Sequence, residues 1–299
     1  DPIAAMMTPT AAPQALHMTL AAYAAVGMLV AGLHAWRLLR AGAPGGPGPT
    51  RFDRHALTIA LLVGAPASLL QPLSGDWSAQ VVAETQPAKL AAMEAQFTTE
   101  RGAPLRIGGL PDEDAREVRW AIEIPYGLSL LAFHDPHAEV QGLDRVPRED
   151  WPAVTVVHRA FQVMVALGTF MAAVSAWALW LLWRKRDLAQ QRWFLRALVV
   201  GTPAGLIAIE AGWVVTEVGR QPWVVQGVLR TADAVTPMPG LVVPFLGFTA
   251  LYLMLAVIVG RVLWGMVREG RGRPTGEIAV AHGHSIASRA PATTYGEGD

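Results

Sequence analysis

An all-α, polytopic helical membrane protein with about five transmembrane helices is the fold class this sequence predicts. Three observations predict it. The 299 residues are 52% hydrophobic and only 16% charged, a balance too apolar for an ordinary soluble domain. Five apolar stretches, at about 17–39, 56–73, 154–183, 194–219 and 241–266, each come near the roughly 20 residues that cross a bilayer. Basic residues then segregate into three of the connecting segments, although the net charge of the whole chain is zero.

The elements follow in order. The first span opens on His17 and ends on Arg37 and Arg40; the second, bordered by Arg51 and Arg54, is short and interrupted by Pro66. Residues 74–153 form a polar loop rich in Pro and Gly, long for a connection between helices and so expected to carry function. The third span is long enough to tilt or protrude, and Arg184, Lys185, Arg186, Arg192 and Arg196 separate it from the fourth. Arg268, Arg271 and Arg273 follow the fifth span, and residues 269–299 have the composition of a disordered tail. The positive-inside rule puts the three basic segments in the cytoplasm, with 74–153 and the turn 220–240 outside. This gives four regions: 1–73 with two spans, 74–153 as an extracytoplasmic loop, 154–268 with three spans, and the cytoplasmic tail 269–299. Without cysteine, disulfides, iron–sulfur clusters and thiolate metal sites are excluded. No basic n-region followed by an apolar core marks a signal peptide, and a chain opening at Asp1 without Met is expected to be a fragment, or processed or split.

Glu210, Trp213, Glu217 and Arg220 close the fourth span at i, i+3, i+7 and i+10, one stripe on a helix that Pro222 then stops. Ionisable groups at membrane depth are costly without a partner or a task, so the stripe is a candidate functional site. A helix-end ion pair between Glu217 and Arg220 at the interface is the plainer alternative.

Of the eight histidines, His282 and His284 lie in the tail and His134 and His137 in the loop, while His55 borders a span and His34 lies roughly 25 Å along the first helix from His17. His17, Met164 and Glu217, on three different spans, are expected at the same leaflet. A His/Met pair is a known axial set for low-spin haem, and no C-x-x-C-H attaches a haem covalently. Packing alone also explains a methionine in a span. His158, two turns before Met164, competes with it as a ligand, and spacing alone leaves the choice open.

The run Glu210 to Trp223, with its Gly-Arg-Gln-Pro-Trp core, resembles the signature of cytochrome bd-type quinol oxidase subunit I. His17-Met18, Ala160-Phe-Gln-Val-Met164-Val-Ala166, Gln86-Pro-Ala-Lys89-Leu-Ala-Ala-Met-Glu94 and Ile124-Pro-Tyr-Gly-Leu match that family in its own order, over roughly residues 1–268. The resemblance implies that His17 and Met164 ligate haem b558, and that Glu217 ligates haem b595 with Trp213 and Arg220 beside it. It further implies that Lys89 and Glu94 serve quinol oxidation. Gln162 stands where many members carry arginine, which would alter the b558 potential or its propionate pairing. A surface amphipathic helix is the bland alternative for 88–97.

The family has nine spans, and this chain resembles the last five, so haem d would be shared with a missing N-terminal four-helix portion. The loop looks like the short type, and Asp76-Trp-Ser-Ala is reminiscent of the cyanide-insensitive branch. The implied function is the C-terminal part of subunit I in a bacterial inner-membrane enzyme. It would oxidise quinol at the outer, periplasmic face and pass electrons via b558 to a b595/d oxygen-reducing site. Subunit II, small accessory subunits and membrane lipid are the implied partners, with no nucleic acid. A split haem b electron-transfer or assembly module without oxygen reductase activity is the alternative, and a transporter with a buried ion pair is a third class.

Overall fold

In the computed structural model, residues 7–46, 48 and 50–269 are described. The expected tail, with His282 and His284, lies outside them apart from Glu269. The chain divides into two units, residues 1–235 and 236–299. Among the described residues, five helical spans are long and apolar enough to cross a membrane.

In the first unit, α1 (Ala11–Ala41) packs along most of α2 (Arg51–Thr85). Thr50 starts α2 by accepting the Asp53 N–H on its hydroxyl at 3.1 Å, which satisfies one of the orphan donors of a first turn. The helix is longer than the expected 56–73, because neither Pro66 nor Pro72 ends it. Each proline removes one backbone donor, a loss that a helix packed among neighbours absorbs. Beyond residue 73 the helix continues through polar residues to Thr85.

The fourth apolar stretch is also not one rod. It breaks at Thr202-Pro203 into α6 (Arg192–Gly201) and α7 (Ala204–Val218). The α6/α7 pair packs on α1, and α7 packs extensively on α5 (Val154–Trp183). Met28, Leu57, Leu61, Met171, Phe194 and Leu198 fill the space between these helices, with Trp177 edge-on to Phe194 at 5.6 Å.

Glycine sets how closely the helices approach. A Cβ on Gly27 would overlap the Gly64 backbone, and one on Gly205 would overlap Ala25. A Cβ on Gly32 would meet the Leu198 carbonyl at 2.6 Å. Lipid gives apolar side chains little reason to leave it for one another, so close backbone approach of this kind is what holds membrane helices together. As numbers rise from 25 to 32 on α1, its partners fall from 205 to 198, so the two run antiparallel.

The loop between α2 and α5 carries regular structure that hydropathy did not predict. A short helix α3 (Pro87–Met93) opens it, with Pro87 at the first-turn position that proline suits. Three two-stranded antiparallel ribbons follow. β1 (Glu100–Arg101) pairs with β6 (Glu139–Val140), β2 (Leu105–Ile107) with β5 (Ile122–Ile124), and β3 (Leu110–Asp112) with β4 (Glu117–Arg119). Helix α4 (Gly127–Phe133) precedes β6. After α7 comes a hairpin of β7 (Trp223–Val225) and β8 (Leu229–Arg230). The second unit contains α8 (Val242–Glu269).

Candidate functional site

His17 points at α2. Its Nδ1 lies 3.0 Å from Ser74 Oγ, and its Nε2 lies 3.1 Å from the Gln71 amide nitrogen. Ser74 already donates its hydroxyl proton to the Gln71 carbonyl at 2.9 Å, so it accepts from His17 and Nδ1 carries the proton. Gln71 Nε2 gives its two protons to His17 Nε2 and to the His17 carbonyl, the latter at 3.2 Å. The network therefore leaves the lone pair on Nε2. A second-shell hydrogen bond to Nδ1–H is the arrangement that orients a metal-ligating histidine.

Met164, on α5, packs on α7: its Sδ would lie 3.0 Å from a Cβ at Gly212, so the absent side chain makes room for the thioether. His17 lies eight residues before the Ala25–Gly205 contact, and Gly212 seven residues after it. On antiparallel helices these steps are about 12 and 10 Å in the same direction. His17 and Met164 thus sit at one level, on helices that do not pack extensively on each other.

His158 is fully buried, and its ring nitrogens face the Met93 and Gly108 carbonyls at 2.9 and 3.2 Å. An imidazole N–H donates to one of these carbonyls, making this side chain a strut between α5, α3 and the loop ribbons. Gln162 acts beside it, donating to the Arg106 carbonyl at 2.9 Å and accepting from the Gly108 N–H at 3.1 Å.

The stripe on α7 holds in part. Glu217 accepts from Arg220 Nη2 at 2.6 Å, although the helix itself ends at Val218. Arg220 Nε is buried without a partner, whereas Glu210 and Trp213 are exposed. Lys89 of α3 lies against Gly219, where a Cβ would come within 3.3 Å of its Cγ and Cε. Burial holds the Lys89 ammonium below the usual lysine range, while Glu217 pulls it up and Arg220 pushes it down. A cleft of about 210 Å³ opens here, lined by Lys89, Arg145, Asp150, Arg220 and Trp223 among others. Arg230 ties two of the lining residues together, donating to Asp150 at 2.6 Å and lying over the Trp223 ring at 4.9 Å.

Glu94 caps the end of α3 and is 4% exposed. Its Oε2 has no hydrogen-bond partner. Burial pushes its carboxyl up to about 7, against the opposing pull of Arg106. The surface-helix alternative for 88–97 is therefore excluded, since Lys89 and Glu94 are both buried. They also face different neighbours, Lys89 turning to Glu217 and Arg220, and Glu94 to Arg106.

Arg106 is the residue that sequence reasoning missed. The signal was available: Leu105-Arg-Ile107 and Ile122-Glu-Ile124 are matching apolar–charged–apolar triplets, and they pair with Arg106 opposite Glu123.

The donor chemistry suits haem. An imidazole whose Nε2 lone pair meets the Gln71 amide and a thioether at the same level are known haem ligands, and Glu217 offers a carboxylate braced by arginine. Gly75 and Gly212 leave space beside the first two, a Cβ at Gly75 coming 3.3 Å from His17 Cε1.

Fold and site together define a polytopic helical membrane protein with ionisable groups buried where its loop meets its spans. The chain belongs to the cytochrome bd terminal oxidase subunit I family, whose model matches residues 1–271. A Bacillus subtilis (strain 168) relative, provisionally named a cytochrome bd menaquinol oxidase subunit I, is 39% identical over 88% of this chain and 59% of its own length. A second relative from that organism, cytochrome bd ubiquinol oxidase subunit 1, is 30% identical over 81% of this chain and 53% of its own. The solved structure of bd oxidase from Geobacillus thermodenitrificans superposes with a TM-score of 0.77 at 37% identity, covering 90% of this chain and 60% of that one. The chain thus spans between half and two thirds of the length of these relatives.

Proposed function

We propose that this chain is the quinol-oxidising part of a bd-type oxidase subunit I, working in a bacterial inner membrane with the rest of subunit I and with subunit II. The loop 86–153 faces outward and α8 leads to a cytoplasmic end, as the distribution of arginines favours. The observation that carries the reading is the burial of Lys89 on the short helix α3 and of Glu94 just after it, with Lys89 against Gly219 of the Gly-Arg-Gln-Pro-Trp segment.

A quinol gives up two protons and two electrons as it becomes quinone. Glu94 can take one of those protons, because a carboxyl that titrates near neutral pH is matched to the work of a general base. Lys89, held as a partly desolvated cation donor beside the cleft, orients the quinol oxygen. His17 and Met164 would hold one haem and Glu217 another, with Arg220 donating to the Glu217 carboxylate. When bound, these haems supply one-electron transfer. For His17 to serve, the Gln71 amide must release Nε2, and its Oε1, buried without a partner, gives it little reason to stay.

The test is Glu94→Gln in the assembled membrane complex. Quinol oxidation should fall by about 100-fold or more while the haem absorption spectrum is unchanged. An unaltered rate would remove Glu94 from the reaction.

A further inference from the structure

We propose that the tip of the β2/β5 ribbon, with Ile107, Leu110, Trp120 and Ile122 at its surface, is a lipid-docking surface that seats in the phospholipid headgroup layer beside α5. None of these four residues takes part in the quinol chemistry proposed above.

Two glycines make the tip. Gly108 and Gly109 hold φ of +70° and +91° and turn the chain from β2 into β3. A Cβ on Gly109 would overlap Val118 and Ala121, so the returning segment that carries Trp120 lies against this turn. Ile107 and Ile122 are cross-strand partners. They continue the ribbon face whose Leu105 packs on the loop's own core. Arg106 and Glu123 alternate onto the other face and pair with each other at 3.0 Å. The apolar face is left uncovered at the tip: Trp120 is 81% exposed and Ile122 68%, and Ile107 and Leu110 are exposed as well.

Helix α5 sets the depth of this tip. Gln162 donates to the Arg106 carbonyl at 2.9 Å and accepts from the Gly108 N–H at 3.1 Å. At its other end α5 finishes on exposed Trp180 and Trp183, with Arg184, Lys185 and Arg186 following. Aromatic and basic residues together mark a membrane surface. A hydrocarbon layer of about 30 Å takes about 20 helical residues, which counts back from Trp183 to about residue 163. Gln162 thus stands at the opposite surface of that layer, and it holds the ribbon tip at its own level. The β3/β4 hairpin runs away from this level, since Glu113 at its far end accepts from the Thr155 N–H at 3.2 Å, about 10 Å further out along α5.

The chemistry of the tip fits that depth. Where water is scarce, backbone groups need partners in the protein, and Gln162 supplies one to the Arg106 carbonyl and one to the Gly108 N–H. Tryptophan is the side chain favoured among headgroups, and isoleucine gains by leaving water for acyl chains. Arg159, exposed on α5 one turn outside Gln162, suits the phosphate layer. Gln162 therefore has a task of its own, which is to seat the ribbon at the membrane surface.

The experiment measures the depth of nitroxide labels on the assembled complex in vesicles of phosphatidylcholine and phosphatidylglycerol. This chain has no cysteine, so Trp120→Cys gives it a single labelling site, and the wild-type complex treated alike supplies the background from other subunits. Collisions with oxygen, which concentrates in lipid, should exceed those with a water-soluble nickel chelate severalfold at residue 120. Ile122→Cys should agree, and decides alone if Trp120→Cys does not assemble. Asp114→Cys, exposed at the outer end of the hairpin, should show the reverse preference. Labels at 120 and 122 that meet chiefly the nickel chelate place the tip in water and overturn the proposal. Labels shielded from both reagents place it against protein, in the rest of subunit I or in subunit II, and overturn it equally.

Discussion

His17 and His34 stand on the same helix, and their partners differ in kind. His17 is held by a hydroxyl and an amide, Ser74 and Gln71, both neutral. His34 gives Nδ1 to Asp53 at 2.9 Å, and the same carboxylate accepts from Arg37 at 2.7 Å and from Thr50 at 2.5 Å. Its ring also rests edge-on against Phe52. The Asp53 carboxylate joins the imidazole and Arg37 in one fastener, which ties α1 to the first turn of α2. Neutral partners fix a tautomer and occupy the Nε2 lone pair only with an amide N–H. The difference teaches that what surrounds a histidine, more than its depth in a span, separates a candidate ligand from a clasp.

The contrast is sharpest at the imidazoles. In the assembled complex, His17→Ala should abolish the low-spin b haem absorption, while His34→Ala should keep it. Retention of the signal in His17→Ala would dissolve the distinction. The next effect is on stability. Asp53→Asn leaves three donors facing a neutral amide and should cost about 2 kcal/mol, read as a lowered midpoint of thermal unfolding in detergent. The figure stays at the low end because Arg37 is 55% exposed and water screens its share. A thermally neutral variant would show that the cluster fastens nothing. The smallest effect is expected at Ser74→Ala, which frees the His17 tautomer and should weaken haem retention by about tenfold. Unchanged retention on dilution would mean that Gln71 alone holds the ring.

The spans were legible because hydropathy over 20 residues survives local irregularity. Their ends were less so. Ser74 to Thr85 are too polar to read as a span, and they stay helical through packing against the loop. Pro203 was visible, but the apolar residues on both sides hid the break it makes. The loop ribbons escaped because strands of two or three residues are too short to show alternation. Among the candidate residues, motif resemblance pointed to Lys89 and Glu94 but could not give their surroundings. That one faces Glu217 and the other Arg106 depends on contacts between residues far apart in the chain. For the same reason the hydrogen bonds that Gln162 makes to the loop were not legible in the sequence.

The contact between Gly27 and Gly64 has a consequence beyond close packing. Two helices that meet at their Cα atoms cannot slide past each other without a collision of backbones, so the contact acts as the zero mark of a ruler. His17 lies ten residues before Gly27 and Ser74 ten residues after Gly64, so on antiparallel helices the two arrive opposite each other about 15 Å away. The bond between a candidate iron ligand and its partner is thus measured out by two residues that have no side chain at all.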